Sequence, residues 1–237
     1  MIKKILSTLL VSSALFVFAA TGSMAERPTF AIGYTATYGG YVVSGQENEG
    51  AGVGQEIHKK EESGEFGYSS LFIEATFADR VTVGASWMAD AVNTDMQERT
   101  DSLECSDGTI AKPSPCVGNT GTSTVKAEFS DLVTGYLEVN IWNGLYAKYG
   151  FMEMDVQTKE SLHTDSSYPN ATMDGETYGF GWKGIFDNGV FVKTETMMQD
   201  WSDLTLTATG CTDTCNANTV SGKLSGAVAS ISIGKAF

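Results

Sequence analysis

The chain has 237 residues, a net charge of −14 at pH 7, 26 glycines and only 4 prolines. This length fits one domain or two small ones. The acidic balance argues against a nucleic-acid-binding protein, because phosphate backbones are bound through an excess of Lys and Arg. Beyond the N-terminal segment, no stretch approaches the roughly 20 apolar residues of a membrane-spanning helix.

Residues 1–25 are predicted to form a secretory signal peptide. The segment carries two early lysines and an apolar run, and it ends with Ser23 and Ala25 at the −3 and −1 positions of a cleavage site before Glu26. A short apolar run followed by a cleavage site favours removal over a permanent anchor helix. The mature chain is therefore expected to be a single exported domain, residues 26–237.

Segments with period-two alternation, which is typical of strands with two different faces, recur along the mature chain. One face of each segment carries mainly apolar residues, and the other carries small, polar or charged residues. The alternating residues lie within 29–39, 66–77, 81–89, 129–139, 145–151, 178–182, 190–198 and 227–237.

Short and long connections alternate strictly between these eight segments. The short connections contain Ala78-Asp79-Arg80, Asn143-Gly144 and Asn188-Gly189, and Asn-Gly is a strong hairpin signal. The long, polar connections are 44–65, 92–122, 155–175 and 200–222. This order predicts an all-β, eight-stranded, antiparallel up-and-down barrel with four long loops at one end and three short turns at the other.

Charged residues on the polar face of the strands indicate which way the barrel is turned. A soluble lipocalin-like barrel buries its apolar face inside, whereas a membrane barrel turns that face to lipid and keeps polar groups inside. Five charged residues lie about four residues from the short turns, so at ~3.3 Å per residue they are expected at one height, with Glu195 a little farther along its strand. We interpret them as a charge network in the barrel lumen; the alternative is unrelated, solvated residues on an open sheet. The six are Glu74, Glu138, Lys148, Lys183, Lys193 and Glu195.

Aromatic residues concentrate near both ends of the strands and are interpreted as two lipid-facing girdles of a membrane barrel. The group near the short turns is Phe30, Phe77, Trp142, Tyr146, Phe186, Phe191 and Phe237. The group near the long loops is Tyr41, Phe66, Trp87, Phe129, Phe151, Tyr178 and Trp201. Together with the signal peptide, this pattern predicts a location in the bacterial outer membrane.

The signal peptide, alternating strands, Asn-Gly turns, long loops and closing strand ISIGKAF resemble the small OmpA/OmpX-type outer-membrane barrels. The resemblance implies that the last strand is read by the outer-membrane assembly machinery. The positions that match this signal are Ala229, Ile231, Ile233 and Phe237. No peptidoglycan-binding domain follows Phe237, so a cell-wall tether is not expected. Eight strands leave an interior filled by side chains, so a large pore is not expected either.

The four cysteines form two close pairs in the long loops, Cys105 with Cys116 and Cys211 with Cys215. Export permits disulfides, and four cysteines allow three connectivities. Pairing within each loop is the preferred interpretation, because each near pair closes a short loop. A metal site is disfavoured because no histidines cluster with the cysteines.

The long loops are strongly acidic, with 18 Asp and Glu against 5 Lys and Arg. Loops on a rigid scaffold commonly carry recognition, so functional contacts are expected there. One hypothesis is that divalent cations bridge these carboxylates to lipopolysaccharide phosphates; the alternative is an acidic surface that is simply solvated. The expected surroundings are outer-membrane lipid and lipopolysaccharide, and the chain is expected to be a monomer without a cofactor.

A structural or surface-interaction role, rather than an enzyme, is the expectation for the molecule as a whole. Three alternatives stay open: a lipid-A-modifying enzyme, a small-conductance channel, and a secreted soluble ligand-binding barrel. The enzyme alternative rests on the run 161–166, which contains Ser161, His163 and Asp165. Neighbouring positions in sequence do not create a catalytic triad, because the three groups must converge in space.

Overall fold

The computed structural model describes residues 28–49, 56–88, 90–94, 96–105, 114–162, 167–209 and 218–237. The predicted signal peptide, residues 1–25, lies outside these ranges. Across the described ranges, no helix reaches the length and apolarity that a membrane crossing requires.

Antiparallel strands form one closed sheet. The neighbours run in the order β1-β2-β3-β6-β7-β8-β9-β11, and the pairing of β1 with β11 closes the ring. Short strands β4 and β5 continue β3 along β6, and β10 continues β9 along β11. The ring therefore has eight positions, which confirms the predicted up-and-down barrel. The strands are β1 Thr29–Glu49, β2 Glu56–Phe77, β3 Val81–Met88, β4 Val92–Asn93, β5 Gln97–Cys105, β6 Ser114–Trp142, β7 Leu145–Ser161, β8 Ala171–Ile185, β9 Val190–Trp201, β10 Leu204–Thr207 and β11 Thr219–Ala236.

The strands continue well into the segments predicted to be long loops. In the predicted loop 44–65, β1 extends to Glu49 and β2 begins at Glu56, with a continuous ladder between them. In the predicted loop 155–175, β7 extends to Ser161 and β8 begins at Ala171. Glu, Lys and Gly have low strand propensity. Each added residue pair nevertheless satisfies backbone hydrogen-bonding groups on both strands of an existing ladder, and this gain outweighs the low propensity.

The short turns follow the predicted turn chemistry. Asn143 and Gly144 both have positive φ, 47° and 82°, as a two-residue hairpin turn with the right twist requires. In the other Asn-Gly turn only Gly189 has positive φ, and its N–H donates to the Phe186 carbonyl at 2.8 Å. That arrangement is a three-residue loop with glycine in the left-handed position.

Successive residues face opposite sides of the barrel wall, as predicted. On β2, Ile73 is 62% exposed whereas its neighbour Phe72 is 4% exposed. On β6, Val139 faces outward and Glu138 faces inward. The outer wall therefore consists largely of exposed apolar side chains, and the inner wall carries the charged and hydroxyl groups.

A β-bulge in β6 interrupts this alternation. The register shifts between Ser130 and Val133, where Asp131 has a φ of 53°. The extra residue turns Leu132 inward, where it is buried, and Phe129 packs against the interior cluster. The placement of Phe129 in a lipid-facing girdle is therefore wrong, because one inserted residue reverses the alternation.

Candidate functional site

Lys193 lies at the centre of a charged layer that crosses the barrel interior. Its Nζ is 2.5 Å from Glu74 Oε1, 2.5 Å from Glu138 Oε1 and 3.6 Å from Glu195 Oε1. The Lys193 side chain is 2% exposed. A lysine buried to this degree is tolerable only with several close carboxylates around it.

Two further lysines complete the layer. Lys148 Nζ lies 2.9 Å from Glu195 Oε1 and 3.5 Å from Glu138 Oε1. Lys183 Nζ lies 3.4 Å from Glu74 Oε2. The structure thus brings all six charged residues singled out in the sequence into one network of three lysines and three glutamates. Its formal charge is zero, so the interior carries no net charge at this level.

Tyrosine hydroxyls donate further hydrogen bonds to carboxylate oxygens that the lysines also contact. Tyr136 Oη donates to Glu74 Oε1 at 2.9 Å, and Tyr146 Oη donates to Glu195 Oε1 at 2.7 Å. The ammonium of Lys148 also lies over the Tyr136 ring, 3.8 Å from its centroid. The placement of Tyr146 in a lipid-facing girdle is therefore wrong. Its position two residues before Lys148, on the same strand face, was the signal that could have placed it inside.

Two glycines make room for the tyrosine rings of the layer. Gly84 is the ladder partner of Tyr136, and Gly181 is the ladder partner of Tyr146. A Cβ at Gly84 would lie 2.4 Å from the Tyr136 ring, and one at Gly181 would lie 2.5 Å from the Tyr146 ring. The rings lie flat against the opposite strand only because these positions lack a side chain.

We expect Gly84→Ala to destabilise the barrel by about 1–3 kcal/mol, because the new methyl group pushes the Tyr136 ring out of its place beside Glu74. Denaturant unfolding in lipid vesicles measures the effect. Gly40→Ala is the matched control, because a Cβ at Gly40 meets nothing within 4 Å. Equal stability of the two variants would show that the close approach to Tyr136 does not matter.

Two inward-facing aromatic rings pack beside the layer. Phe191 is 0% exposed, and its ring centroid lies 6.1 Å from that of Phe72. The ammonium of Lys183 lies 4.2 Å from the Phe191 centroid. Phe191 therefore faces inward, and its predicted place in the lipid-facing girdle is wrong.

A small cavity of about 60 Å³ borders the layer at Lys148, Lys193 and Glu195 and the upper part of the interior at Met152 and Met197. Hydroxyl-bearing residues such as Thr37, Ser70 and Ser232 line it. Beyond the cavity, Tyr41 Oη donates to Gln199 Oε1 at 2.9 Å, and Gln199 Nε2 donates to Tyr68 Oη at 3.2 Å. The cavity holds only a few water molecules.

The interior towards the long hairpins is apolar rather than polar. This upper apolar cluster includes Met88, Leu132, Met152, Met154, Val156, Met173, Met197, Trp201, Leu224 and Val228. Its residues fill the wider end of the barrel with flexible and aromatic side chains. The expectation of a polar interior therefore holds for the charged layer and the cavity but is wrong for this cluster.

Four of the aromatics predicted to form the girdle near the long hairpins belong to this cluster or pack against it. Tyr41 and Trp201 are buried, and Phe66 and Phe129 pack against the cluster. The remaining three, Trp87, Phe151 and Tyr178, are 44–50% exposed on the outer wall. At the short-turn end the outward aromatics are Phe30, Trp142, Phe186 and Phe237.

The outer wall thus has an apolar band between two sets of exposed aromatics, around an interior that holds the ionised groups. This arrangement defines a transmembrane β-barrel of the outer-membrane class, because an apolar exterior around a closed sheet is stable only in lipid. The chain is an outer-membrane β-barrel protein.

Solved outer-membrane barrels resemble the chain in overall shape. The outer membrane protein OprG from Pseudomonas aeruginosa has 11% identity and a TM-score of 0.48, over 90% of this chain and 97% of that chain. The outer membrane protease OmpT from Escherichia coli has 10% identity and a TM-score of 0.44, over 92% and 99%. The outer membrane protein AlkL has 9% identity and a TM-score of 0.39, over 92% and 94%. No protein-family model and no curated protein matches the chain.

One of these structures corrects the expectation that the chain is not an enzyme. OmpT, one of the similar solved structures, is an outer membrane protease. The exclusion of an enzyme that was made from the sequence is therefore wrong. Of the run 161–166 that carried the enzyme alternative, residues 163–166 lie outside the described part of the chain.

The remaining predicted site residues are placed in part. Ile231 and Ile233 face outward on β11, and the Phe237 N–H donates to the Phe30 carbonyl at 2.8 Å. The backbones of Cys105 and Cys116 lie in β5 and β6, whereas Cys211 and Cys215 lie outside the described residues. The disulfide pairing stays a prediction.

Proposed function

We propose that the protein is a closed, non-conducting outer-membrane barrel that acts at the cell surface through its acidic hairpins. The observation that carries this proposal is the layer around Lys193. Three packed groups occupy the interior: the Phe72 and Phe191 rings, the charged layer, and the upper apolar cluster. A solute that crossed the barrel would have to separate the ion pairs of Lys193 and displace the side chains packed around them.

The hairpins support the surface part of the proposal. The β1–β2 hairpin continues far past the apolar band, to the pair Glu49 and Glu56, and the exposed side chains of this part of β2 include Lys59, Lys60, Glu61, Glu62 and Glu65. Lys159 and Glu128 form an ion pair on the corresponding extension of β6 and β7. Rigid, charged strands of this kind suit contacts with lipopolysaccharide or with macromolecules outside the cell.

The narrower OmpA/OmpX-type assignment belongs to the same proposal. The last strand closes the ring against β1, with Ile231, Ile233 and Phe237 exposed on its outer side. The resemblance to OmpA/OmpX-type barrels implies that these residues are read by the outer-membrane assembly machinery. We further propose that the barrel is monomeric.

Conductance of the purified barrel in planar lipid bilayers tests the closed interior. Insertion is verified on the same sample by heat-dependent gel mobility, which distinguishes folded from unfolded barrels. We expect no sustained conductance from the inserted wild-type chain. A steady, ohmic current from inserted barrels would contradict the closed interior and favour the small-conductance channel.

A further inference from the structure

The outward faces of β6, β7, β8 and β9 change from apolar to acidic at one level. On β7 the exposed Phe151 is followed by Glu153, and on β9 the exposed Met198 is followed by Asp200. The outward positions of the other two strands follow the same rule. The five acidic residues, here called the outer acidic row, are Asp131, Glu153, Asp174, Glu176 and Asp200.

The row is continuous over four adjacent strands. At the corresponding outward positions, β11 has Ser225, β1 has Gly40 and β2 has Ser69. Acidic residues recur farther round the wall as Glu65, the ladder partner of Gly40, and Asp90, which accepts a hydrogen bond from the Ser69 hydroxyl. Glu65 also accepts a hydrogen bond from the Tyr38 hydroxyl, whereas the row contains a carboxylate oxygen without a donor among the described residues.

Carboxylates in the row lie directly opposite one another. Glu153 is the ladder partner of Asp174, and Glu176 is the ladder partner of Asp200. Such pairs have Cβ atoms roughly 4.5–5.5 Å apart, and like charges at that separation are destabilising. Among the described residues, no Lys or Arg forms an ion pair with any member of the row. No Lys or Arg among the described residues therefore neutralises the negative charge of the row through an ion pair.

Glu153 gives a second, independent indication of a ligand. It occupies an outward position in the β7 alternation, yet the residue is only 6% exposed, and its buried Oε2 has no hydrogen-bond partner in the described part of the chain. The hydroxyl oxygen of Ser130, next to Asp131 at the bulge, is likewise buried without a partner there. A buried carboxylate oxygen without a donor is costly, so its retention points to a cation as the partner.

We infer that the outer acidic row binds divalent cations jointly with the phosphate groups of anionic lipid headgroups. The row lies two residues, or ~7 Å along the strand, beyond the apolar band, which is the depth of the headgroups. In the described chain, no three acidic, His or Cys side chains converge closely enough to hold a metal ion alone. Magnesium characteristically combines one or two carboxylates with phosphate oxygens, so the lipid supplies the ligands that the protein lacks.

This inference rests on the proposed function only in placing the hairpin end at the outer surface. The test uses the mature chain refolded into vesicles of phosphatidylcholine alone, of phosphatidylcholine with phosphatidylglycerol, and of phosphatidylcholine with lipid A. Heat-dependent gel mobility gives the unfolding midpoint temperature with calcium or with a chelator. The row variant is Glu153→Gln with Asp174→Asn. The control, Glu61→Gln with Glu62→Gln, removes the same charge from the exposed part of β2.

Calcium is expected to raise the midpoint of the wild type and the control, and to do so more strongly in vesicles with anionic lipid. The row variant is expected to need at least about tenfold more calcium for half of the effect, because it lacks two ligands. In the presence of the chelator, the row variant is expected to be no less stable than the wild type, since it has lost a like-charged pair. A rise confined to lipid A identifies lipopolysaccharide-type phosphates, and a rise with both anionic lipids identifies anionic phosphates in general.

An equal rise in pure phosphatidylcholine, an equal rise in the row variant, or no rise at all would overturn the inference. These outcomes are independent of the conductance experiment. A barrel that conducts can still bind cations on its outer wall, and a barrel that ignores calcium can still be closed.

Discussion

Replacement of Lys193 by methionine is expected to destabilise the folded barrel by about 3–5 kcal/mol, more than any other single change within the charged layer. Methionine keeps much of the volume and removes the ammonium that Glu74 and Glu138 share at 2.5 Å each. The layer would then hold three carboxylates against two lysines in a closed interior. Denaturant unfolding in lipid vesicles, followed by tryptophan fluorescence, measures the loss.

A second substitution distinguishes lost charge balance from lost packing. Glu138→Gln in the Lys193→Met background returns the layer to zero net charge and leaves the fold around it unchanged. We expect the double variant to regain at least half of the lost stability, so that the two changes are not additive. Strictly additive losses would show that Glu138 and Lys193 do not form a coupled pair.

Arginine in place of Ile73 on the lipid-facing side of β2 is expected to cost about 2–4 kcal/mol in a bilayer. Ile73 lies within the apolar band and is 62% exposed, so the guanidinium would enter hydrocarbon without a partner. Denaturant unfolding in vesicles gives the free energy. The chain offers an unusually close control in Ile57→Arg, because Ile57 lies on the same strand and is 55% exposed, but beyond the band.

The free energies of unfolding of the two arginine variants should differ by most of the cost expected for Ile73→Arg. Ile57→Arg is expected to leave stability nearly unchanged, since its side chain lies in water. If both variants were equally tolerated, the wall at Ile73 would not face lipid.

Strand alternation and turn chemistry determine most of this fold from local sequence. Adjacent residues such as Phe72 and Ile73 are distinguished by side-chain period alone, and Asn143-Gly144 supplies positive φ where a tight hairpin needs it. The charged layer could also be predicted from the sequence, because equal distances from the short turn place Glu138 and Lys148 opposite each other in the ladder.

The inward aromatics were assigned to the girdles from their position along the strand alone. The side of the strand on which each ring lies was not used. Phe191 is two residues from Lys193 and Tyr146 is two residues from Lys148, so each shares its face with a lumen charge. A bulky ring inside a narrow barrel is also coupled to a residue on the next strand. Gly84 opposite Tyr136 makes this clear, but the pairing is visible only once the register is known.

Two features depend on long-range structure and have weak local signals. The bulge at Asp131 arises from the match between β6 and β7, and no residue there requires it in isolation. The extension of β1 and β2 through charged residues up to Glu49 and Glu56 depends on ladders that are already formed below them. Propensity therefore underestimates strand length wherever a neighbouring strand provides a template.

The most direct test of the account places nitroxide spin labels at Ile73 and Val139 in the refolded barrel, with Ile57 as the reference site. Collision rates with oxygen, which concentrates in acyl chains, are compared with those of a water-soluble nickel chelate. The account predicts that oxygen dominates at Ile73 and Val139 and that the chelate dominates at Ile57. Ready access of the chelate to Ile73 and Val139 would contradict a wall that faces hydrocarbon around an ionised interior.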